Sequence, residues 1–123
     1  MIHLDANFLV DVFRRPTASA RAVDRWLVGG ELIAMSSVAW AEFLCGPVPS
    51  GDALDARSLL HSIEPLTDAD AVAAAELFNA TGRRSRSLAD CMIAALAIRR
   101  QAPLATLDNS DFSRFKEAGL QLI

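Results

Sequence analysis

The 123-residue sequence is poor in cysteine and has no long apolar run. Its two cysteines, Cys45 and Cys91, stand alone within apolar helical stretches, so we expect reduced core thiols and neither a disulfide nor a metal cluster. No run of about 18 apolar residues is present, and no signal-peptide segment follows Met1. These absences predict a soluble protein of the cytoplasm that does not enter a membrane.

A glycine-rich phosphate loop is also absent, which disfavours a nucleotide-binding enzyme. Hydrophobic residues make up 52% of the chain, enough to bury a core in a single domain spanning 1–123. The net charge of −3 by itself argues against a nucleic-acid partner. The arginines are nevertheless clustered along the sequence, and charge distribution matters more than the sum when a ligand meets only one face.

Short apolar segments alternate with helical segments along the chain. This alternation predicts an α/β fold with a mostly parallel sheet. Thr67 with Asp70, and Ser87 with Asp90, match the capping-box pattern and predict the starts of two helices. Strands are predicted at 2–4, 31–37, 103–108 and 120–123, with a further candidate at 63–66.

Four acidic residues interrupt apolar stretches where burial is expected: Asp5, Glu42, Asp90 and Asp108. Carboxylates are rarely buried unless they are paired, hydrogen-bonded or bound to a metal. In parallel α/β sheets the ligand site lies beyond the carboxyl ends of the strands; Asp5 follows one predicted strand, and Asp108 is the last residue of another. One shared Mg²⁺ or Mn²⁺ would account for all four acids. Such an ion orients water and neutralises charge at phosphorus, so the pattern favours phosphodiester hydrolysis.

Each acid also has a simpler explanation. Asp5 is a candidate helix N-cap, Asp90 a capping acid for Ser87, and Asp108 half of an Asp-Asn turn. Glu42 is a candidate partner for an arginine. If the four acids do share one site, the rest of the chain carries a net charge of +1.

The same residues lie in four blocks that resemble the PIN domain family, in particular its VapC-type toxins. The blocks occur in family order and span almost the whole chain. The resemblance implies a PIN-like three-layer α/β/α sandwich with a mostly parallel central sheet of four or five strands. The blocks read MIHLDANFLVDVF, MSSVAWAEFLCG, SLADCMIAALAIRR and PLATLDNSDF.

The resemblance also implies roles for individual residues. Catalysis falls to Asp5, Glu42, Asp90 and Asp108, of which Asp5, Asp90 and Asp108 bind the metal. Glu42 and Asp111 are auxiliary ligands, and the alternative for Asp111 is a helix cap. Polar residues that would orient carboxylates or water are Asn7, Ser36 and Thr106.

The implied activity is metal-dependent cleavage of RNA by the toxin of a toxin–antitoxin pair. Implied partners are the RNA, a VapB-type antitoxin and a second copy of the chain in a homodimer. Three arginines precede Asp90 and would lie near the mouth of the pocket: Arg83, Arg84 and Arg86. We expect one or more of them to contact phosphate, the alternative being pairing with surface acids or with the antitoxin.

Other function classes remain as alternatives. One is a PIN-like nuclease that is not a toxin, and another is a catalytically inactive PIN-like RNA-binding module. An acidic-pocket phosphotransfer domain is more remote. A receiver would need a lysine at a late strand end, whereas the sole lysine, Lys116, lies in a helical segment; a phosphatase would need an aspartate where Asn7 stands.

Overall fold

A computed structural model describes all of residues 1–123. Four strands form one parallel sheet in the order β3-β2-β1-β4, which confirms the predicted α/β fold. None of the helices combines the length and the apolar character needed to cross a membrane. The strands are β1 (Ile2–Leu4), β2 (Ile33–Ser36), β3 (Ser62–Glu64) and β4 (Leu104–Ala105).

Seven α-helices connect or follow the strands, and a 3₁₀ helix comes after the last of them. The chain adds β2 and then β3 on one side of β1, and afterwards returns past both to place β4 on the other side. Because parallel crossovers are right-handed, this reversal places α5 and α6 on the face opposite to α1–α4. The helices are α1 (Ala6–Val12), α2 (Ala18–Val28), α3 (Ser37–Cys45), α4 (Ser50–Leu59), α5 (Asp68–Ala80), α6 (Leu88–Arg99) and α7 (Asn109–Phe112), with the 3₁₀ helix at Ser113–Ala118.

The core lies between the sheet and the helices, and α6 supplies a large share of it. Six of the seven residues from Cys91 to Ala97 are buried, which is why the sequence of this helix is apolar on almost all sides. Cys91 is one of these buried residues, as predicted, but Cys45 is exposed at the end of α3. The prediction of two core thiols is therefore wrong for Cys45.

Two local predictions have opposite outcomes. The Thr67–Asp70 capping box is confirmed: Thr67 Oγ1 accepts the Asp70 N–H at 3.2 Å, and Asp70 accepts the Thr67 N–H at 3.0 Å. The same pattern at Ser87 is wrong, because the Ser87 hydroxyl donates to the Arg84 carbonyl and does not cap α6. The Asp90 carboxylate is consequently left without a capping role.

The strand predicted at 120–123 is reduced to a single bridge between Leu104 and Leu122. Two backbone hydrogen bonds make this bridge, from the Leu104 N–H to Gln121 and from the Ile123 N–H to Leu104. The sheet therefore has four strands in the described chain, the lower of the two expected numbers.

The helices α5 and α6 are joined by an ion pair between Asp70 and Arg99. Arg99 Nε and Nη2 donate to the two Asp70 carboxylate oxygens at 2.6 and 3.0 Å. Burial favours the neutral acid, but the hydrogen bonds from Arg99 and Thr67 outweigh it and lower the pKa of Asp70. Asp70, which is 1% exposed, therefore completes the capping box of α5 and also links α5 to α6.

We predict that Asp70→Ala lowers the free energy of unfolding by about 2 kcal/mol, because the variant loses a helix cap and leaves Arg99 unpaired. Urea denaturation at pH 7 measures the change. The matched control is Asp68→Ala, which removes an exposed acid from the same first turn. Equal stability of the two variants would contradict a special role for Asp70.

Candidate active site

Asp5 lies directly after β1, where its backbone N–H still pairs with the Ala105 carbonyl at 2.9 Å. Its side chain is almost completely buried. One carboxylate oxygen accepts the Ala6 N–H at 2.9 Å, and the other accepts the Thr106 hydroxyl at 2.8 Å. Asp5 is therefore the N-cap of α1, but that role uses only one oxygen, and the second faces the end of β4.

Asn7 connects the start of α1 to the loop after β4. Its side-chain amide donates to the Asp108 carboxylate at 2.7 Å, and its side-chain oxygen accepts the Leu107 N–H at 3.2 Å. Thr106 completes the connection, because its hydroxyl oxygen accepts the Asp108 N–H at 3.0 Å. Asn7 and Thr106 thus hold two acids that are 103 positions apart in the chain beside neighbouring strands.

Asp90 and Glu42 reach the same edge of the sheet from helices. Asp90 lies in the first turn of α6 and makes no hydrogen bond through its side chain. Partial burial, the Asp5 charge and the charges of Asp111 and Asp108 raise the pKa of Asp90 to about 6. Shielding from water, followed by the charges of Asp5 and Asp90, raises the pKa of Glu42. The five carboxylates therefore form one electrostatic cluster.

Burial was predicted for all four of the principal acids, and the structure corrects this. Asp5 alone is buried, while Asp90 is half-buried and Glu42 and Asp108 are exposed. Glu42 lies on α3, and Asp108 lies in the loop that follows β4. What these residues share is a common edge of the sheet and not a buried setting.

Ser36 lies beside the cluster but does not contact it. Its buried hydroxyl accepts the Ala39 N–H at 3.0 Å and so caps α3, the helix that carries Glu42. No hydrogen bond joins Ser36 to a carboxylate. Its contribution to the site is to fix the start of that helix.

The arginines expected at the mouth of the pocket are exposed, but none of them acts on the acids. Arg83 contacts Asn79 and stacks on the Phe78 ring of α5. Arg84 and Arg86 form no ion pair, and no charge from this group shifts the pKa of an acid in the cluster.

Sequence reasoning missed Arg114, the one basic residue beside the cluster. Its Nη2 atom lies 3.8 Å from Asp90 Oδ2, and its side chain is only 13% exposed. The guanidinium carbon lies 4.6 Å from the centre of the Phe115 ring. The sequence did contain a signal for its partial burial, since Arg114 stands between two aromatic residues, Phe112 and Phe115. Both of these are buried in the structure.

The donor set of the cluster fits a hard divalent cation, since every candidate ligand is a carboxylate, hydroxyl or amide oxygen. No three acidic, histidine or cysteine side chains lie close enough together to hold an ion by themselves. Mg²⁺ commonly keeps several waters and binds through one or two carboxylates. The residues present therefore fit a partly hydrated ion.

Comparison with known proteins gives one family and several solved structures. The family model described as PIN domain matches residues 2–118. A chain of VapBC-1 from nontypeable Haemophilus influenzae is 18% identical, with a TM-score of 0.75 and coverage of 100% of this chain and 97% of that one. A chain of VapBC2 from Rickettsia felis is 23% identical, with a TM-score of 0.73 and coverage of 100% and 98%.

A third similar structure is VapC20 from Mycobacterium tuberculosis, described as a toxin that cleaves the sarcin-ricin loop. It is 16% identical, with a TM-score of 0.70 and coverage of 100% of this chain and 98% of that one. At these identities the likeness concerns the fold. No curated protein matches the sequence.

The raised pKa of Asp90 predicts a pH-dependent stability. Because the folded state holds this proton up to a pH of about 6 and the unfolded state releases it near 3.8, the contribution of Asp90 to stability falls as pH rises across that interval. In metal-free buffer we expect a loss of about 1–2 kcal/mol, after allowance for solvent screening. Urea denaturation of wild type and Asp90→Asn at several pH values measures it, and parallel profiles would refute the assignment.

Proposed function

Because the chain belongs to the PIN domain family, we propose that it is a divalent-metal-dependent ribonuclease and the toxin of a VapBC-type toxin–antitoxin pair. The observation that carries the proposal is the meeting of five carboxylates at the carboxyl edge of the sheet, where parallel α/β folds place their ligand sites. Those carboxylates are Asp5, Glu42, Asp90, Asp108 and Asp111.

Asp5, Asp90 and Asp108 are the residues that would hold Mg²⁺ or Mn²⁺, with Glu42 and Asp111 acting through bound water. Such an ion supplies charge neutralisation at the phosphorus and a lowered pKa for a bound water. Thr106 and Asn7 keep the Asp5 and Asp108 carboxylates in place by the hydrogen bonds described above. Two of the three proposed ligands are thus restrained by hydrogen bonds within the protein.

Glu42 is our candidate for the residue that accepts a proton from the attacking water. Its carboxylate makes no hydrogen bond and is therefore free to accept a proton. Shielding and the charges of Asp5 and Asp90 raise its pKa, which improves its ability to take up a proton near neutral pH.

The proposed substrate is single-stranded or structured RNA in the cytoplasm. The solved structures with this fold include toxin–antitoxin complexes and a toxin that cleaves the sarcin-ricin loop. We propose two partners for this chain: a VapB-type antitoxin, by likeness to those toxin–antitoxin complexes, and a second copy of the chain in a homodimer. A basic side chain of the antitoxin entering the acidic cluster would inhibit by charge pairing.

Arg84 and Arg86, exposed and without ion pairs, are the candidates for phosphate contact.

We predict that the purified protein cleaves RNA oligonucleotides in the presence of Mn²⁺ or Mg²⁺ and that EDTA abolishes the cleavage. Asp5→Asn and Asp90→Asn should each lower the rate by about 100-fold or more, because each removes a carboxylate ligand. Gel analysis of a mixture of linear and stem-loop RNAs measures the rates. Asp68→Asn, which changes an exposed acid of α5, is the matched control and should cleave like wild type.

An Asp90→Asn variant that cleaves at the wild-type rate would contradict the site assignment. A wild-type protein that binds RNA but never cleaves it would instead support the inactive RNA-binding module. All of the acidic positions are filled, which argues against that module.

We predict that expression of the chain without an antitoxin stops the growth of a bacterial host, whereas expression of Asp90→Asn does not. Uncontrolled RNA cleavage is the reason for the difference. Colony counts after induction measure it, with protein levels checked by immunoblot. Normal growth alongside RNA cleavage in vitro would favour the nuclease that is not a toxin.

A further inference from the structure

Arg114 is placed in an unusual environment for an arginine. It is carried by the 3₁₀ helix Ser113–Ala118, and its Nε and Nη2 atoms are buried without any hydrogen-bond partner. Its guanidinium carbon lies over the Phe115 ring, 4.6 Å from the ring centre. The side chain is thus withdrawn from water while most of its donors remain unused.

Only one acid offers compensation for this buried charge. Asp90 Oδ2 lies 3.8 Å from Arg114 Nη2, a separation too long for a hydrogen bond but short for two opposite charges. A guanidinium stays protonated at any physiological pH, so it cannot escape the cost of burial by losing its proton. The contact with Asp90 is therefore the principal electrostatic reason for Arg114 to lie there.

The other acids of the cluster are held differently. Asp5 and Asp108 are fixed by hydrogen bonds from Thr106 and Asn7. Asp90 accepts no hydrogen bond, so both of its oxygens stay available to an ion, and its negative charge is offset by Arg114 alone. An ion bound at Asp90 would lie close to the Arg114 charge and be repelled by it.

We propose that Arg114 is the resident counter-ion of the acidic cluster. While no divalent ion is bound, Arg114 offsets the negative charge of Asp90. When an ion binds at Asp90 and offsets that charge instead, Arg114 repels the ion. The inference rests on the proposed function in assuming that a divalent ion binds at Asp90. Arg114 then weakens the binding of the ion to Asp90, and the bound ion weakens the attraction between Asp90 and Arg114.

The first test needs no metal and is a double-mutant cycle of Arg114→Met and Asp90→Asn at pH 8 in EDTA. Methionine keeps an apolar stem over Phe115 and removes the charge. We expect Arg114→Met to lower the urea midpoint by about 0.5 M in the wild-type background and much less in the Asp90→Asn background. Equal shifts in both backgrounds would mean that Arg114 serves packing alone and would overturn the proposal.

The second test measures Mn²⁺ binding by isothermal titration calorimetry at the same pH. Removal of one positive charge near a divalent ion should tighten binding by about tenfold in Arg114→Met, whereas Arg114→Lys should stay near wild type. Arg21→Met, which changes an exposed arginine of α2, is the matched control. Unchanged or weaker binding by Arg114→Met would overturn the antagonism. If Arg114→Met does not fold, Arg114→Gln takes its place in both tests.

The two tests separate this inference from the proposed function. Wild-type protein that binds no Mn²⁺ would count against the metal-dependent nuclease, while the stability cycle would still decide whether Arg114 balances Asp90. Wild-type protein that binds Mn²⁺ and shows no coupling in the cycle would leave the nuclease proposal standing and overturn the counter-ion.

Discussion

The mutual repulsion of carboxylates gathered at one edge of the sheet is the constraint on which the rest of this structure depends. Burial in the first place, and repulsion between the acids in addition to it, raises the pKa values of Asp5, Glu42 and Asp90 above those of free acids. The fold tolerates it by giving the acids different means of support. Asp5 and Asp108 are supported by hydrogen bonds, and Asp90 by a nearby positive charge. The cluster therefore keeps a negative charge that the protein neutralises only in part, and this charge attracts cations.

Strand order brings the acids together. The return of the chain after β3 places β4 beside β1, so the residues that follow these two strands, Asp5 and Thr106, become neighbours. The same return makes α6 run opposite to the strands, because it leads from one end of the sheet to the start of β4. Its first turn, with Asp90, then lies at the carboxyl edge. A different strand order would separate these residues without any change in local structure.

Local sequence patterns predict local features well and miss what depends on the tertiary fold. The capping pattern is the same at Thr67 and Ser87, yet only Thr67 has the extended backbone that a cap needs, with ψ of 169° against −1° at Ser87. The alternation of strands and helices predicted the sheet. The exposure of Glu42 and Asp108 depends on what packs against α3 and the β4 loop, and the Arg114–Asp90 contact joins residues 24 positions apart. Neither is encoded by a short pattern.

The distribution of ion pairs explains how a chain with a net charge of −3 can act on an anion. Away from the cluster, three arginines pair with acids: Arg15 with Asp24, Arg99 with Asp70 and Arg100 with Glu64. Outside the five acids of the cluster and Arg114, the chain has ten acids and eleven basic residues, so its negative charge is concentrated at the site, where five acids face one arginine. An RNA phosphate would be repelled by such a site until a cation is added, so on the proposed function metal and substrate must bind cooperatively. A cationic side chain of an antitoxin would neutralise the same carboxylates without providing a reactive water. On the proposed function, this is the physical difference between an inhibited site and an active one.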